Sequence, residues 1–178
     1  GYGEAIGLDD TSYHASFQQI LTGATALASG EDHCIVIRTD TRLWGSGEDW
    51  YGAIGNGEVD VSVFTQVGPA SAFGAIAAGD WHSVAITTGN TVYATGYNSD
   101  SQLGTGDTNQ LSVFTLIPSA PASTAAACGS HHTVLLKTDG TVYVAGDNSY
   151  GELGLGAAAE ATTFTQVAGL SSVAAVAA

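Results

Sequence analysis

The segment GSHHTVLLKTDGTVYVAGDNSYGELGLG, residues 129–156, decides the fold because its features recur twice earlier in the chain. The segments GEDHCIVIRTDTRLWGSG (30–47) and GDWHSVAITTGNTVYATG (79–96) carry the same histidine, the same apolar pattern and the same closing glycine. Self-similarity at a period of about 50 residues is typical of repeat architectures. The sequence therefore predicts one supersecondary unit used several times.

Three residue types mark the period, and we expect all of them to be structural. A histidine opens one strand, a glycine closes the next, and a phenylalanine lies on a later strand. These positions are His33, His82 and His132, then Gly47, Gly96 and Gly146, and finally Phe64, Phe114 and Phe164. We expect each imidazole to hold the neighbouring turn by a hydrogen bond, once per repeat.

Each period predicts four short strands. Small apolar residues (AIAAG, TAAACG) form the first strand, and HSVAITT or HTVLLKT forms the second. TGN or TDG provides a tight turn to the third strand, TVYATG or TVYVAG. A glycine-rich loop then leads to FTQV. Four-stranded units with this period are typical of β-propeller blades, so we expect an all-β fold.

Residues 129–156 and 79–106 resemble the regulator of chromosome condensation repeat, in which a Gly-x-x-His-Ser/Thr strand, a DG turn and an N-x-x-G-x-L-G-x-G loop follow one another. The resemblance extends over the whole chain. It is weakest in the first full repeat, which has TDTR at the turn and WYGAIGNG in the loop. The resemblance implies a wheel of seven four-stranded blades.

The repeat boundaries predict an incomplete wheel of about three and a half blades within one propeller segment. Residues 1–23 match the second half of a repeat, 24–74, 75–124 and 125–173 are full repeats, and 174–178 begin another. We expect the chain to be a segment of a larger protein. Either the remainder of the propeller or another chain would complete the wheel.

The charge balance excludes some classes of partner. Three cations stand against 17 carboxylates, which gives a formal net charge of −14. Phosphate groups are bound by Lys and Arg, so we expect no nucleic-acid binding. No apolar run approaches the roughly 20 residues that a membrane span needs. The composition slightly favours an extracellular or cell-surface location, but it also fits a high-salt habitat, and the compartment stays open.

The stretch ACGSHHT, residues 127–133, raises the question of a metal site, because Cys128, His131 and His132 are spaced like zinc ligands. His132 is the periodic histidine, however, and the equivalents of Cys128 and His131 one repeat earlier are Ala78 and Trp81. We therefore expect no metal site. Weak divalent-cation binding at the acidic loops is the one alternative for a cofactor.

No catalytic residues are predicted. Ser83 and Thr133 directly follow a histidine, but neighbouring strand residues point to opposite faces and cannot form a nucleophile–base pair. The glycine-rich loops open no helix and precede no P-loop lysine, so they predict no phosphate site. We expect the protein not to be an enzyme.

Most carboxylates belong to connections that leave one face of the wheel, while all three cations lie at the opposite turns. The candidate partner-binding acidic face consists of Glu31, Asp32, Glu48, Asp49, Glu58, Asp60, Asp80, Asp100, Asp107, Asp147 and Glu152. Two interpretations stay open. The acids either keep the protein soluble or form a docking surface for a partner with a basic surface.

The leading functional hypothesis is a non-enzymatic propeller scaffold that mediates protein–protein interaction. The resemblance implies an alternative, a guanine-nucleotide exchange factor for a small GTPase. That activity relies on a complete wheel and on basic segments, and this chain is acidic. A structural subunit of an extracellular assembly is the second alternative.

Overall fold

The computed structural model describes residues 16, 19–57, 60–156 and 160–178. This part of the chain forms twelve strands in three antiparallel sheets of four strands each. The first sheet contains β1 (Ala24–Ser29), β2 (His33–Arg38), β3 (Leu43–Gly47) and β4 (Val61–Val67). The second contains β5 (Phe73–Ala78), β6 (His82–Thr87), β7 (Val92–Gly96) and β8 (Leu111–Leu116). The third contains β9 (Ser123–Cys128), β10 (His132–Lys137), β11 (Val142–Asp147) and β12 (Glu160–Gln166).

Each sheet is a propeller blade whose strands lie side by side in sequence order. The turn between the second and third strands needs a residue with positive φ. Gly140 (φ 79°) and Asn90 (φ 66°) adopt this conformation readily, whereas the first blade places Thr41 (φ 63°) there. A β-branched residue in the left-handed region is strained, so TDTR is the least favourable of the three turns.

The core consists of apolar layers between successive blades. Ile35, Leu43 and Ile54 of the first blade pack against Phe73 and Phe114 of the second. A second layer, which includes Val84, Leu103, Leu135 and Phe164, joins the second blade to the third. Sheets packed face to face in this way bury the apolar side chains of both, which explains why the second and third strands are almost continuously buried.

The periodic glycines mark a bulge at the same place in every blade. The ladder between the third and fourth strands shifts register just before Gly47, Gly96 and Gly146. Their φ values are 122°, 108° and 115°. A Cβ on Gly47 would lie 2.2 Å from the carbonyl oxygen of Asp32, so a side chain cannot fit at this position.

Loops also join neighbouring blades. Gly57 N donates to Ser112 O at 2.8 Å, and Gly106 N donates to Thr162 O at the same distance. Thr95 Oγ1 donates to Gly52 O at 2.6 Å. The loop between the third and fourth strands therefore crosses to the outermost strand of the next blade, and it is held there by the backbone.

The prediction of an all-β, incomplete propeller is confirmed. The predicted half repeat at 1–23 lies almost entirely outside the described residues, as does Glu58. Residues 174–178 form no strand, although Val173 N donates to Gly140 O in the way that Phe73 N donates to Thr41 O at the start of the second blade. Within the described ranges, no helix is long and apolar enough to cross a membrane.

Candidate functional site

The candidate site lies on the face where the first strand of each blade turns into the second and the third loops to the fourth. We call it the loop face; its described parts are residues 30–32, 79–81 and 129–131, the loops 48–57, 97–110 and 148–156, and residue 60. The opposite hairpin face consists of residues 39–42, 88–91 and 138–141. Antiparallel pairing places these two sets of connections at opposite ends of the strands.

A pocket of about 290 Å³ opens on the loop face between the first two blades. We call it the aromatic pocket, because the rings of Trp50, Tyr51 and Trp81 line it. Buried His33 and Ala53 also line it. Four carboxylates complete the lining, and these are Glu31, Asp32, Glu48 and Asp80. The backbone joins the two turns beside it, since Glu31 N donates to Asp80 O at 3.2 Å.

The predicted acidic face contains two kinds of carboxylate. The first kind is engaged within the protein. Asp60 accepts from Asp49 N at 2.7 Å, Asp107 from Asn109 N at 3.1 Å, Asp147 from Ser149 N at 2.9 Å, and Glu152 from Tyr150 N at 2.8 Å. Hydrogen bonds from Thr105 and Asn109 lower the pKa of Asp107, and one from Ser149 lowers that of Asp147.

The second kind is the set that lines the aromatic pocket. Within the described part of the chain, the side chains of Glu31, Asp32, Glu48 and Asp80 make no hydrogen bond or ion pair with another described residue. Asp32, Glu48 and Asp80 are half-buried and Glu31 is exposed. The carboxylates that no described residue engages are therefore grouped at this pocket, whereas the engaged ones stay charged but already accept hydrogen bonds from the protein.

The structure removes Asp49 from the predicted acidic face. Asp49 is buried, with 1% of its surface exposed, and its Oδ1 accepts from Ile54 N at 2.7 Å. Asn98 and Asn148 do the same in the next two blades, accepting from Leu103 N and Leu153 N at 2.9 Å. Asp49 therefore caps a loop. Its alignment with two asparagines was the sequence signal for this role.

A row of aromatic rings, which the sequence pattern did not predict as a site, crosses the loop face. Tyr51 of the first blade contacts Trp81 and Tyr97 of the second, with ring centroids 5.4 and 5.0 Å apart. Trp81 in turn contacts His131 of the third blade at 5.7 Å. Trp81 and His131 occupy the same position, one residue before the periodic histidine, which is the only signal the sequence carries for this row.

His131 is also bound to a carboxylate. Its Nδ1 lies 2.8 Å from Asp100 Oδ2 and donates to it when it carries the proton. Asp100 therefore belongs to the engaged carboxylates of the loop face. The pair holds the third-blade end of the aromatic row.

Two protein-family models match the repeats of this chain. The family model described as the regulator of chromosome condensation (RCC1) repeat matches residues 75–102 and 124–152, and a second model of the same description matches 90–136. Residues 75–152 of this chain therefore match the RCC1 repeat. The two matched repeats are those whose strand, turn and loop patterns are the most regular. The comparison with curated proteins gives no match.

Solved structures support the same RCC1 propeller fold. Prp20p from Saccharomyces cerevisiae, described with its binding to Gsp1p and histones, is 22% identical with a TM-score of 0.74 over 82% of this chain and 38% of that one. Yeast RCC1 (Prp20) bound to Kap60 is 23% identical with a TM-score of 0.73, covering 82% and 37%. Human WBSCR16 is 18% identical with a TM-score of 0.72, covering 80% and 39%. The chain thus spans less than two fifths of these proteins.

The periodic RCC1-repeat histidines link one blade to the next. His33 Nε2 lies 2.8 Å from Ser83 Oγ, and His82 Nε2 lies 3.0 Å from Thr133 Oγ1. Thr133 donates its hydroxyl proton to Gln102 O at 2.7 Å, so His82 is the donor to Thr133. The periodicity of these histidines predicted a bond to the neighbouring turn, but the partner is a hydroxyl on the second strand of the next blade.

Burial governs the protonation of these histidines. It lowers the pKa of His33 to about 4 and that of His82 to about 3, because desolvation penalises the charged imidazolium. For His82, the fields of neighbouring histidines lower the pKa further. Both imidazoles are therefore neutral at physiological pH, and each connects two neighbouring blades by a hydrogen bond.

Cys128 does not line the aromatic pocket. It lines a second hollow, of about 570 Å³, where the innermost strands of the three blades converge. Burial raises the pKa of its thiol, which is therefore a poor metal ligand or nucleophile. Among the described residues, no three His, Cys, Asp or Glu side chains are grouped as metal ligands would be, and Cys34 and Cys128 are both free thiols.

Proposed function

We propose that this chain is part of a non-enzymatic propeller scaffold whose loop face binds a partner protein through a basic surface. The observation that carries the proposal is the grouping of four carboxylates without side-chain partners among the described residues around one aromatic pocket. Acids that served only to keep the protein soluble would not need to be grouped at one concave site. A surface that binds a basic partner does need such a group.

The distribution of positive charge supports the same proposal. The chain has three cations, Arg38, Arg42 and Lys137, which lie in or directly beside the turns of the hairpin face. Lys137 is paired with Asp139 at 2.8 Å, and the Arg38 guanidinium lies 4.7 Å from the ring centre of Trp44. No Lys or Arg therefore lies among the described residues of the loop face to offset its negative charge. A field of one sign accelerates association with a partner of the opposite sign.

Exposed aromatic surface gives the loop face the composition of an interface. Trp50 is 74% exposed and Tyr150 is 96% exposed, although large aromatic side chains usually bury most of their surface. Aromatic residues are enriched where proteins bind one another. Structural relatives of this fold bind proteins, since Prp20p is described with Gsp1p and histones and yeast RCC1 with Kap60. This support is an analogy at the level of the fold.

A peptide-binding measurement tests the proposal. The probe is a fluorescent synthetic peptide with six arginines separated by Gly-Ser spacers, titrated with the chain at low and at physiological ionic strength. The variant Glu48→Gln/Asp80→Asn removes two charges from the aromatic pocket. The control Asp40→Asn/Asp139→Asn removes two charges from the hairpin face. We expect the pocket variant to lose at least about tenfold in affinity, or about 1.4 kcal/mol, and the control to lose less than about twofold.

Two results would overturn the scaffold proposal. One is equal weakening by both double variants, which would show that only net charge matters. The other is no detectable binding of the arginine peptide at either ionic strength. No geometric observation within the described residues favours the exchange-factor or the extracellular-assembly alternative, and the location and the absence of a cofactor stay predictions.

A further inference from the structure

We propose that the aromatic pocket accepts a single arginine side chain of the basic partner. This inference rests on the proposed function and names the chemistry that the pocket selects. It assigns a defined anchor to a surface that would otherwise attract any positive charge. The residues that carry it are Trp50, Tyr51 and Trp81 together with Glu48 and Asp80.

The size of the pocket limits its occupant. Sites for drug-sized ligands and cofactors occupy about 300–1,000 Å³. The aromatic pocket, at about 290 Å³, lies just below this range. A pocket of this size accommodates one long side chain. Its position between two blades gives it walls from both, as expected for a site that receives a protruding group.

The carboxylates specify a cation that donates hydrogen bonds. Glu31, Asp32, Glu48 and Asp80 accept no hydrogen bond from another described residue, so an incoming donor displaces none of the described residues from them. A guanidinium carries five N–H donors in a planar fork that matches carboxylates, and it is charged at every relevant pH. A trimethylammonium group has no donor and would leave the carboxylates unsatisfied.

The aromatic walls distinguish arginine from other cations. A planar guanidinium stacks on aromatic rings, whereas the compact lysine ammonium is more strongly hydrated. Tyr51 and Trp81 contact each other with ring centroids 5.4 Å apart, while Trp50 is largely exposed and contacts no other ring of the described residues. A metal ion would require oxygen ligands on all sides, and three rings occupy part of this lining.

The test uses the whole chain and a small probe. N-acetylarginine amide is titrated into the ¹⁵N-labelled protein, and the indole N–H resonances of its three tryptophans are followed by NMR. N-acetylcitrulline amide, an uncharged isostere, and N-acetyllysine amide are titrated in parallel. We expect arginine to shift Trp50 and Trp81 saturably, to leave Trp44 unchanged, and to bind at least about fivefold more tightly than lysine, and we expect citrulline to produce no saturable shift.

Variants complete the test. Glu48→Gln/Asp80→Asn is expected to weaken arginine binding at least about fivefold, whereas Asp40→Asn/Asp139→Asn is expected to leave it unchanged. Unchanged thermal unfolding of both variants shows that they fold. Equal shifts with citrulline, equal binding of lysine, or equal shifts at Trp44 would each overturn the arginine assignment. If the arginine peptide binds but the arginine amide leaves Trp50 and Trp81 unshifted, the pocket assignment fails and the scaffold proposal stands; if neither binds, both fail.

Discussion

The imidazole of His33 reaches across the boundary between the first two blades to Ser83, with Nε2 2.8 Å from Oγ. His82 and Thr133 repeat the contact at the next boundary, at 3.0 Å. Both histidines are buried, and so are both hydroxyls. The histidine that marks the sequence repeat thus connects one blade to the next, and this hydrogen bond contributes to the stability of the propeller.

The first prediction concerns the hydrogen bond between His33 and Ser83. Ser83→Ala leaves the buried His33 imidazole without its hydroxyl partner, and such a loss costs about 1–3 kcal/mol of unfolding free energy. Thr165→Ala is the control, since its hydroxyl is exposed and bonds only Thr163 O of its own strand. Urea unfolding should show a change within about 0.5 kcal/mol for the control. Equal effects of the two substitutions would show that the hydrogen bond between His33 and Ser83 contributes no stability.

The second prediction is a pH dependence. The folded-state pKa values of His33 and His82, about 4 and about 3, lie below the ordinary value of 6.5, so the unfolded chain binds more protons between these limits. The stability from the neutral imidazoles is therefore complete above pH 6.5 and is lost as pH falls toward 4. Each histidine contributes a slope of up to about 1.4 kcal/mol per pH unit.

Urea unfolding at a series of pH values from 7 down to about 4 measures this slope. His33→Gln should make the dependence shallower, because one of the titrating imidazoles is gone. A profile as steep as that of the unaltered chain would contradict the assignment. Asp107 and Asp147, whose pKa values are lowered from 3.8, influence stability only at lower pH.

The third prediction separates backbone strain from steric clash. Gly104 and Gly154 occupy the same loop position in successive blades, and both have a φ of 66°. A Cβ on Gly104 would lie 2.5 Å from Phe164 Cε2, whereas on Gly154 its nearest neighbour is Val167 Cγ1 at 3.8 Å. Gly104→Ala should therefore cost about 1–3 kcal/mol more than Gly154→Ala in thermal or urea unfolding. If the two cost the same, Phe164 moves freely and the packing between blades is looser than described.

The fourth prediction distinguishes the two kinds of carboxylate. Asp49→Ala removes the buried acceptor of Ile54 N and should destabilise the chain by about 1–3 kcal/mol. Asp32→Ala removes a half-buried carboxylate that caps nothing, so its unfolding free energy should change by less than about 0.5 kcal/mol. Chemical unfolding of the two variants in parallel measures the difference. An Asp49→Ala variant as stable as the unaltered chain would show that Asp49 is not needed to cap the loop, and Asp49 would again be a candidate for the binding surface.

The sequence by itself was sufficient to predict the strands and turns of each blade. Strand alternation, the turn residues and the closing glycines are local requirements, so they appear in the sequence at every repeat. Gly96 illustrates this, because its φ of 108° and the closeness of Trp81 O exclude any side chain. The periodic Phe114 and Phe164 are likewise buried between blades. For these positions, periodicity alone predicted a structural role.

Only the tertiary structure decided which acids are available for binding. Asp49 and Glu48 are adjacent in sequence and identical in charge, yet Asp49 caps a buried loop and Glu48 lines the aromatic pocket. Trp50 and Trp81 are 31 positions apart and line the same pocket only because two blades pack side by side. The residue type fixes the charge of a side chain, but its hydrogen-bond partners and the walls around it depend on how neighbouring blades pack.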